Sequence, residues 1–313
     1  MPGFRLPVSG VEVVLRQLAG ADDLLLAEAS RYEPGLAHAL VGALARPAGG
    51  GELVWSALTL TDLDATLLAI RRMVLGDRIE SSVRCATRGG GEGEGVGGSE
   101  HEGVGEGEGE GEGQGEGVGV GASEGGSEGV GEGEGRGART FAGCGARIDL
   151  GFLITDYLAS HLPELPRGVA RAGDPGWFQL EGTEVTFRLP TGADLAAIAA
   201  EPDAERALAE RCIRPHELDA PLARRIEHAM EALAPNLYGE LEGTCPECGQ
   251  VVGIAFDPQR YVIEELRQRA AFVFEEVHLI AERYRWSEDA ILTMPRARRA
   301  RYAELIHEAR SGG

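Results

Sequence analysis

The chain has 313 residues with 30 basic and 51 acidic side chains, five cysteines and a formal charge of −21, enough for one large domain or two modest ones. Every basic residue is arginine, and the run 89–137, with thirteen glutamates and one arginine, contributes −12, leaving −9 to the other 264 residues. A still-negative remainder argues against a basic nucleic-acid binder. No apolar stretch nears the ~20 residues of a membrane span and no charged-then-apolar leader is seen, so a cytoplasmic protein without membrane partners is expected; there, paired cysteines point to metal before disulfide.

In chain order, FRLPVSGVEVVLRQL places two short extended runs about a Pro-Val-Ser-Gly turn, the pattern of a β-hairpin. Gly20-Ala21-Asp22 then opens a helix, with its acid at the electropositive end. Helices are predicted over 36–44 and 61–75, the second because Leu63, Leu67, Ile70 and Val74 recur at helical spacing. Cys85 follows, and then the run 89–137, in which 24 residues are glycine and none is aromatic. Such a segment cannot bury enough surface to offset its ordering entropy, so disorder is expected there. Cys144-Gly145 comes next, then a short apolar strand and a helix entered through Asp156-Tyr157.

The second half rereads the first. WFQLEGTEVTFRL forms a hairpin pattern from Trp177, and Gly192-Ala193-Asp194 opens a helix; Thr191 and Asp194 have the spacing of a capping box, with Asp in place of Glu. Helices are predicted over 201–212 and 221–233, then come Cys245-Pro246-Glu247-Cys248-Gly249, a strand, and a helix entered through Asp257-Pro258-Gln259-Arg260-Tyr261. Without a gap, Cys144, Gly145, Phe152 and Tyr157 fall on Cys248, Gly249, Phe256 and Tyr261. Upstream, Gly10, Arg16, Gly20 and Asp22 fall on Gly182, Arg188, Gly192 and Asp194. Two blocks matched in the same order indicate an internal duplication over roughly 4–165 and 176–300. The expected fold class is α+β and helix-rich: a unit of β-hairpin, helices, zinc knuckle and helix, written twice. The expected division is 1–88 with 138–165 as first repeat, 89–137 as insert, 176–270 as second repeat and 271–313 as a helical C-terminal tail.

Cys245-Pro246-Glu247-Cys248-Gly249 has the residue types of a zinc knuckle, two thiolates on a tight turn whose glycine supplies positive φ. One knuckle offers two ligands and structural zinc takes four. The duplication points to the others. With the run and its flanks removed, Cys85 and Cys144-Gly145 form the first half's knuckle, split at its tip, where extra residues disturb no core. One structural zinc held by Cys85, Cys144, Cys245 and Cys248 is therefore expected. Cys212, alone in a helical stretch, reads as a buried small apolar residue.

No catalytic constellation appears. The seven histidines form no metal-binding pair at helical spacing, and there is no nucleophile elbow or phosphate loop. His278 reads as a partly buried packing residue, and Glu275-Glu276 as a solvated helix face. The chain is not expected to be an enzyme. The alternative to a protein-binding scaffold is a zinc-ribbon nucleic-acid adaptor; its one basic cluster, Arg296, Arg298, Arg299 and Arg301, is better read as a solvated face or a complement to an acidic partner.

In the C-terminal stretch Phe274, Val277, Leu279, Ile280 and Tyr284 form an apolar stripe, and Ser287 is a good N-cap for a short helix over 288–293. The opening FRLPVSGVEVVLRQLAGADDLLLAEA resembles the N-terminus of tail-assembly proteins of contractile phages. The ending, marked by Glu276, His278, Tyr284, Trp286, Ser287, Ile291, Pro295, Arg299 and Tyr302, resembles that of T4-type baseplate proteins of phages and phage-like contractile injection systems. The resemblance spans nearly the whole chain outside 89–137. It implies a non-enzymatic assembly chaperone or minor structural subunit of the baseplate hub, with other hub or tail proteins as partners. Trp286, Arg296, Arg299 and Tyr302 are the expected contacts, because Trp and Arg dominate interface hot spots.

Overall fold

The computed structural model describes residues 3–30, 35–85, 143–216 and 218–311; the run 89–137 lies outside the described residues. The chain is a mixture of helix and antiparallel sheet. The first hairpin pairs β1 (Gly3–Arg5) with β2 (Glu12–Leu15), and Phe4 faces Val13 in register. Gly10, at φ +70°, closes its turn through a hydrogen bond from its N–H to the Leu6 carbonyl. Helix α1 (Gly20–Glu28) and α2 (Leu36–Leu44) follow, and β3 (Ala45–Pro47) returns to pair with β2. A single 3-10 turn at Trp55–Ala57 leads into α3 (Leu60–Leu75), which starts where the Thr59 hydroxyl accepts the Asp62 N–H. Then come the long hairpin β4 (Arg78–Arg84) with β5 (Arg147–Leu153) and helix α4 (Ile154–Ser160).

After the extra strand β6 (Val169–Arg171), the order returns: β7 (Trp177–Leu180), β8 (Thr186–Arg188), α5 (Gly192–Ile198), α6 (Ala204–Cys212), β9 (Ile213–Arg214), α7 (Ala220–Leu233), β10 (Gly239–Thr244), β11 (Val251–Phe256) and α8 (Pro258–Ala270). In both halves the third strand adds to the second strand of the hairpin, β3 on β2 and β9 on β8. Three further helices end the chain: α9 (Val273–Tyr284), α10 (Glu288–Leu292) and α11 (Arg296–Ser311). The helix expected over 36–44 has those limits, and the other expected helix limits are shifted by up to three residues. The helix expected from 201 starts at Ala204, because Asp203 caps it by accepting the Arg206 N–H.

The main core surrounds α3. Along it Leu63, Leu67, Leu68 and Ile70 are buried, each contributing roughly 1.5–3 kcal/mol by removal from water. Leu237, Phe256, Val262, Leu266 and Ala270 from the far end of the second half belong to this same core. A smaller core within 169–233 centres on Phe187 and Ile226, and a third joins α9, α10 and α11 through Ile280, Ile291 and Ile306. Packing therefore crosses the division expected between 138–165 and 176–270. The reason is that α8 packs on α1 and α3, and Phe256 of β11 packs on Phe152 of β5 and Tyr157 of α4.

At that junction the two halves meet through aromatic side chains. Phe152 and Phe256 pack edge to face with ring centroids 5.2 Å apart, and Tyr157 and Tyr261 flank them. The Tyr157 hydroxyl donates to the Leu237 carbonyl at 2.7 Å. Burial of this hydroxyl, with Asp64 nearby, pushes it up to about 12. On α3 the Asp62 carboxylate accepts the Val8 and Ser9 N–H groups at 2.9 and 3.0 Å, fastening the first hairpin's turn to the central helix.

Candidate metal centre

The hairpins β4–β5 and β10–β11 meet at their cysteine ends, which carry the same two backbone hydrogen bonds. In one, the Cys85 N–H donates to the Ala146 carbonyl and the Gly145 N–H to the Cys85 carbonyl; in the other, the Cys245 N–H donates to Gln250 and the Gly249 N–H to Cys245. Gly145 and Gly249 sit at φ +75° and +72°, a backbone that L side chains rarely adopt. Each turn buries its first cysteine and exposes its second. Ile148 and Val252 pack with Cys85 and Cys245 beneath the turns.

All four sulfur atoms, of Cys85, Cys144, Cys245 and Cys248, lie within 4.8 Å of one another. Cys85 Sγ is 3.6 Å from Cys248 Sγ, and Cys144 Sγ is 3.7 Å from Cys245 Sγ. A tetrahedron of sulfurs at ~2.3 Å from a central ion has edges of about 3.8 Å, so spacing and donor set fit a four-thiolate metal ion. Backbone N–H groups supply the outer support. The Gln250 N–H holds the Cys248 thiol down to about 7, and the Ala146 N–H acts in the same sense on Cys144, although Cys248, burial and Cys245 together raise that group. At Cys85 the Cys144 N–H also favours the thiolate, but burial and the three other thiols outweigh it and push the group up to about 12. Among the described residues no other group of three or more metal-ligating side chains converges in this way.

The expected partner contacts fare differently. Arg299 is 1% exposed and cannot reach a partner: its guanidinium pairs with Asp23 of α1 and with Glu276 of α9, the latter at 2.5 Å. Arg296 also turns inward and bonds the same Asp23 carboxylate. Both readings as surface contacts are corrected by the pull of a fully buried acid 273 and 276 positions away. Glu276 is not solvated either; burial raises its pKa, and Arg299 opposes the rise. Trp286 and Tyr302 are half-buried and form an aromatic group with Tyr284, at centroid distances of 5.0 to 5.6 Å. Within the expected apolar stripe Phe274 is exposed, while Leu279 and Ile280 are buried. His278 is exposed, because it falls on the side of α9 away from Ile280 and Ile291. Cys212 is buried, as expected.

Asp23 is the residue that sequence reasoning missed. Its signal was the second acid in Gly-Ala-Asp-Asp, which has no counterpart in Gly-Ala-Asp-Leu of the second half. A cleft of about 540 Å³ lies between the first hairpin's turn, the start of α3 and the second sheet, lined by Ser9, Asp62, Leu165, Phe178 and Arg188. Of its four charged groups, Asp62, Glu164, Arg171 and Arg188, Asp62 is engaged by the turn's N–H groups and Arg188 by Asp194. No described helix is long and apolar enough to cross a membrane. Compared with family models, with curated proteins and with solved structures, the chain finds no match.

Proposed function

We propose that this protein is a non-enzymatic assembly factor or minor structural component of the baseplate hub of a phage-like contractile tail, built as an internal duplication clasped by one structural zinc ion. The observation that carries this reading is the convergence of four thiols, from hairpins distant in sequence, beside the core that both halves share. Four sulfur donors leave a tetrahedral ion no open position, which suits a clasp and not a catalytic centre. Cys85, Cys144, Cys245 and Cys248 would hold the ion. Its binding free energy would add to folding free energy, because the unfolded chain has no such site. The chain's own part is to orient the thiols through Gly145 and Gly249 and to neutralise thiolate charge with backbone N–H groups.

The duplication is supported by the shared order of hairpin, two helices, returning strand, helix, cysteine hairpin and helix. The role in a tail is supported by the resemblance of the opening and closing stretches to T4-type baseplate proteins. Partners would be other hub or tail proteins, with Trp286 and Tyr302 as the remaining candidate contacts.

Metal analysis of protein purified without chelator should find one zinc per chain with four sulfur neighbours; an oxygen or nitrogen neighbour would mean an open position and remove the clasp. Electron microscopy of lysates from a strain lacking the gene tests the role. Loss of contractile particles, or arrest at partial hubs, is expected. Normal particles in equal number would overturn the assembly reading.

A further inference from the structure

We infer that the four-cysteine joint has a second covalent state, in which a peroxide oxidant converts it to two disulfides running between the hairpins, Cys85–Cys248 and Cys144–Cys245. This rests on the zinc reading above for its starting state and adds a regulation of the same site.

The pairing follows from the geometry. The thiol contacts at hydrogen-bond distance, 3.6 and 3.7 Å, cross from one hairpin to the other. Within each hairpin the two sulfurs also lie within 4.8 Å of each other, but the thiol contacts at 3.6 and 3.7 Å are the ones that join the hairpins. Reaching a disulfide bond of ~2.05 Å needs the two sulfurs of a cross-hairpin pair to approach by roughly 1.6 Å.

Each cross-hairpin pair also joins an exposed thiol to a buried one: Cys248 to Cys85, and Cys144 to Cys245. Peroxide reaches the exposed sulfur and is reduced to water, leaving a sulfenic acid. The buried partner then attacks that sulfur, a second water leaves, and the disulfide closes. For the whole site, four thiolates, two hydrogen peroxide molecules and four protons give two disulfides and four waters, and the ion is released unchanged in oxidation state. The hairpins that the metal clasps thus stay clasped after the metal has gone, and the joint holds in both reducing and oxidising surroundings.

The test uses the full chain, zinc-loaded, treated with two equivalents of hydrogen peroxide and alkylated. Cleavage after arginine frees Cys85 and Cys144 on separate peptides, and cleavage after Glu247 parts Cys245 from Cys248. Mass spectrometry should find Cys85 joined to Cys248 and Cys144 to Cys245, with one zinc released per chain. A dominant Cys245–Cys248 link, or sulfinic acids in place of disulfides, would overturn the inference. The double variant Cys144→Ser with Cys245→Ser should still form one disulfide, at least tenfold faster than Cys85→Ser with Cys144→Ser; the reverse order would also overturn it. A chain that binds no zinc yet yields the cross-hairpin links would sink the zinc reading alone. A chain that binds zinc but pairs within a hairpin would sink this inference alone.

Discussion

Gly20 and Gly192 open helices with the same three residues, and each corner is built the same way. Arg16 forks onto Asp22 at 2.6 and 2.7 Å, and Arg188 onto Asp194 at 2.6 and 2.8 Å. Each acid also accepts the N–H of the residue three before it. Both glycines stand where another part of the chain presses close. The Gly20 N–H donates to Met294 O just before α11, and the Gly192 N–H to Leu58 O just before α3. α3 and α11 are sixteen residues each. The difference lies in what secures the contact. At Gly192 the neighbours are His38 of α2 and Ser56 and Leu58 in the segment that leads into α3. At Gly20 it is the C-terminal arm, whose attachment includes the ion cluster of Asp23, Glu276, Arg296 and Arg299. The same local design thus serves a permanent core contact in one half and an ion-paired arm in the other.

The largest expected effect breaks this contrast directly. Arg299→Ala leaves Asp23 and Glu276 buried with less compensation and should cost about 3–5 kcal/mol. Arg188→Ala should cost about 1.5–3 kcal/mol, because Arg211 and Thr191 still bond Asp194. Urea unfolding of both variants ranks them, and a larger loss for Arg188→Ala would mean that the arm contributes little.

The glycines sharpen the comparison at smaller scale. A Cβ at Gly20 would lie 2.7 Å from the Leu292 Cα, a backbone atom that cannot turn aside. Gly20→Ala should therefore displace the arm at a cost of about 1–3 kcal/mol. At Gly192 the nearest atom is His38 Nε2 at 2.8 Å, on a side chain that can rotate, and the Ser56 Cα is 3.4 Å away. Gly192→Ala should cost under ~1 kcal/mol, since part of the strain is offset by alanine's better helix propensity. Hydrogen exchange in 288–311 should rise in the first variant and stay unchanged in the second.

A pH-dependent effect concerns α3 itself. Burial pushes the Asp64 carboxyl up to about 7, although the Gln259 amide at 2.8 Å favours its charged form; Asp257 adds to the rise. The folded chain thus keeps this proton up to about pH 7, while the unfolded chain releases it near ~3.9. Its contribution is complete below that lower value and is lost as pH rises from about 4 to 7. Asp64→Asn should match the parent at pH 4 and be more stable at pH 8, by roughly 1–3 kcal/mol. Equal stability at pH 8 would refute a protonated Asp64. The opposite sign holds at Asp194: Arg188 first, then the Thr191 and Arg211 bonds, lower its pKa, so its contribution is present above about pH 4 and lost in acid.

The hairpins, the helix over 36–44, the capping box at Thr191 and Asp194, and the four cysteines were legible because each depends on neighbours close in the chain or on a motif written twice. The box, for example, closes through the Thr191 hydroxyl and Asp194 carboxylate over three residues. Arg296, Arg299 and His278 were misread for one common reason. Helical spacing says which residues share a face, but not whether that face meets water or another element. Glu276 follows the same rule: beside Glu275 it looks solvated, and only Arg299 on α11 draws it inward.

By itself, the sequence determined most of the helices and hairpins, the glycines that permit the turns and the thiols that can meet at one point. These are local matters of backbone strain, capping and donor chemistry. Only the tertiary structure decided that β11 and α8 complete the first core and that Asp23 receives two arginines from the C-terminal arm. Burial and ion pairing depend on which surfaces come together, and no short-range pattern encodes which apolar face covers α3.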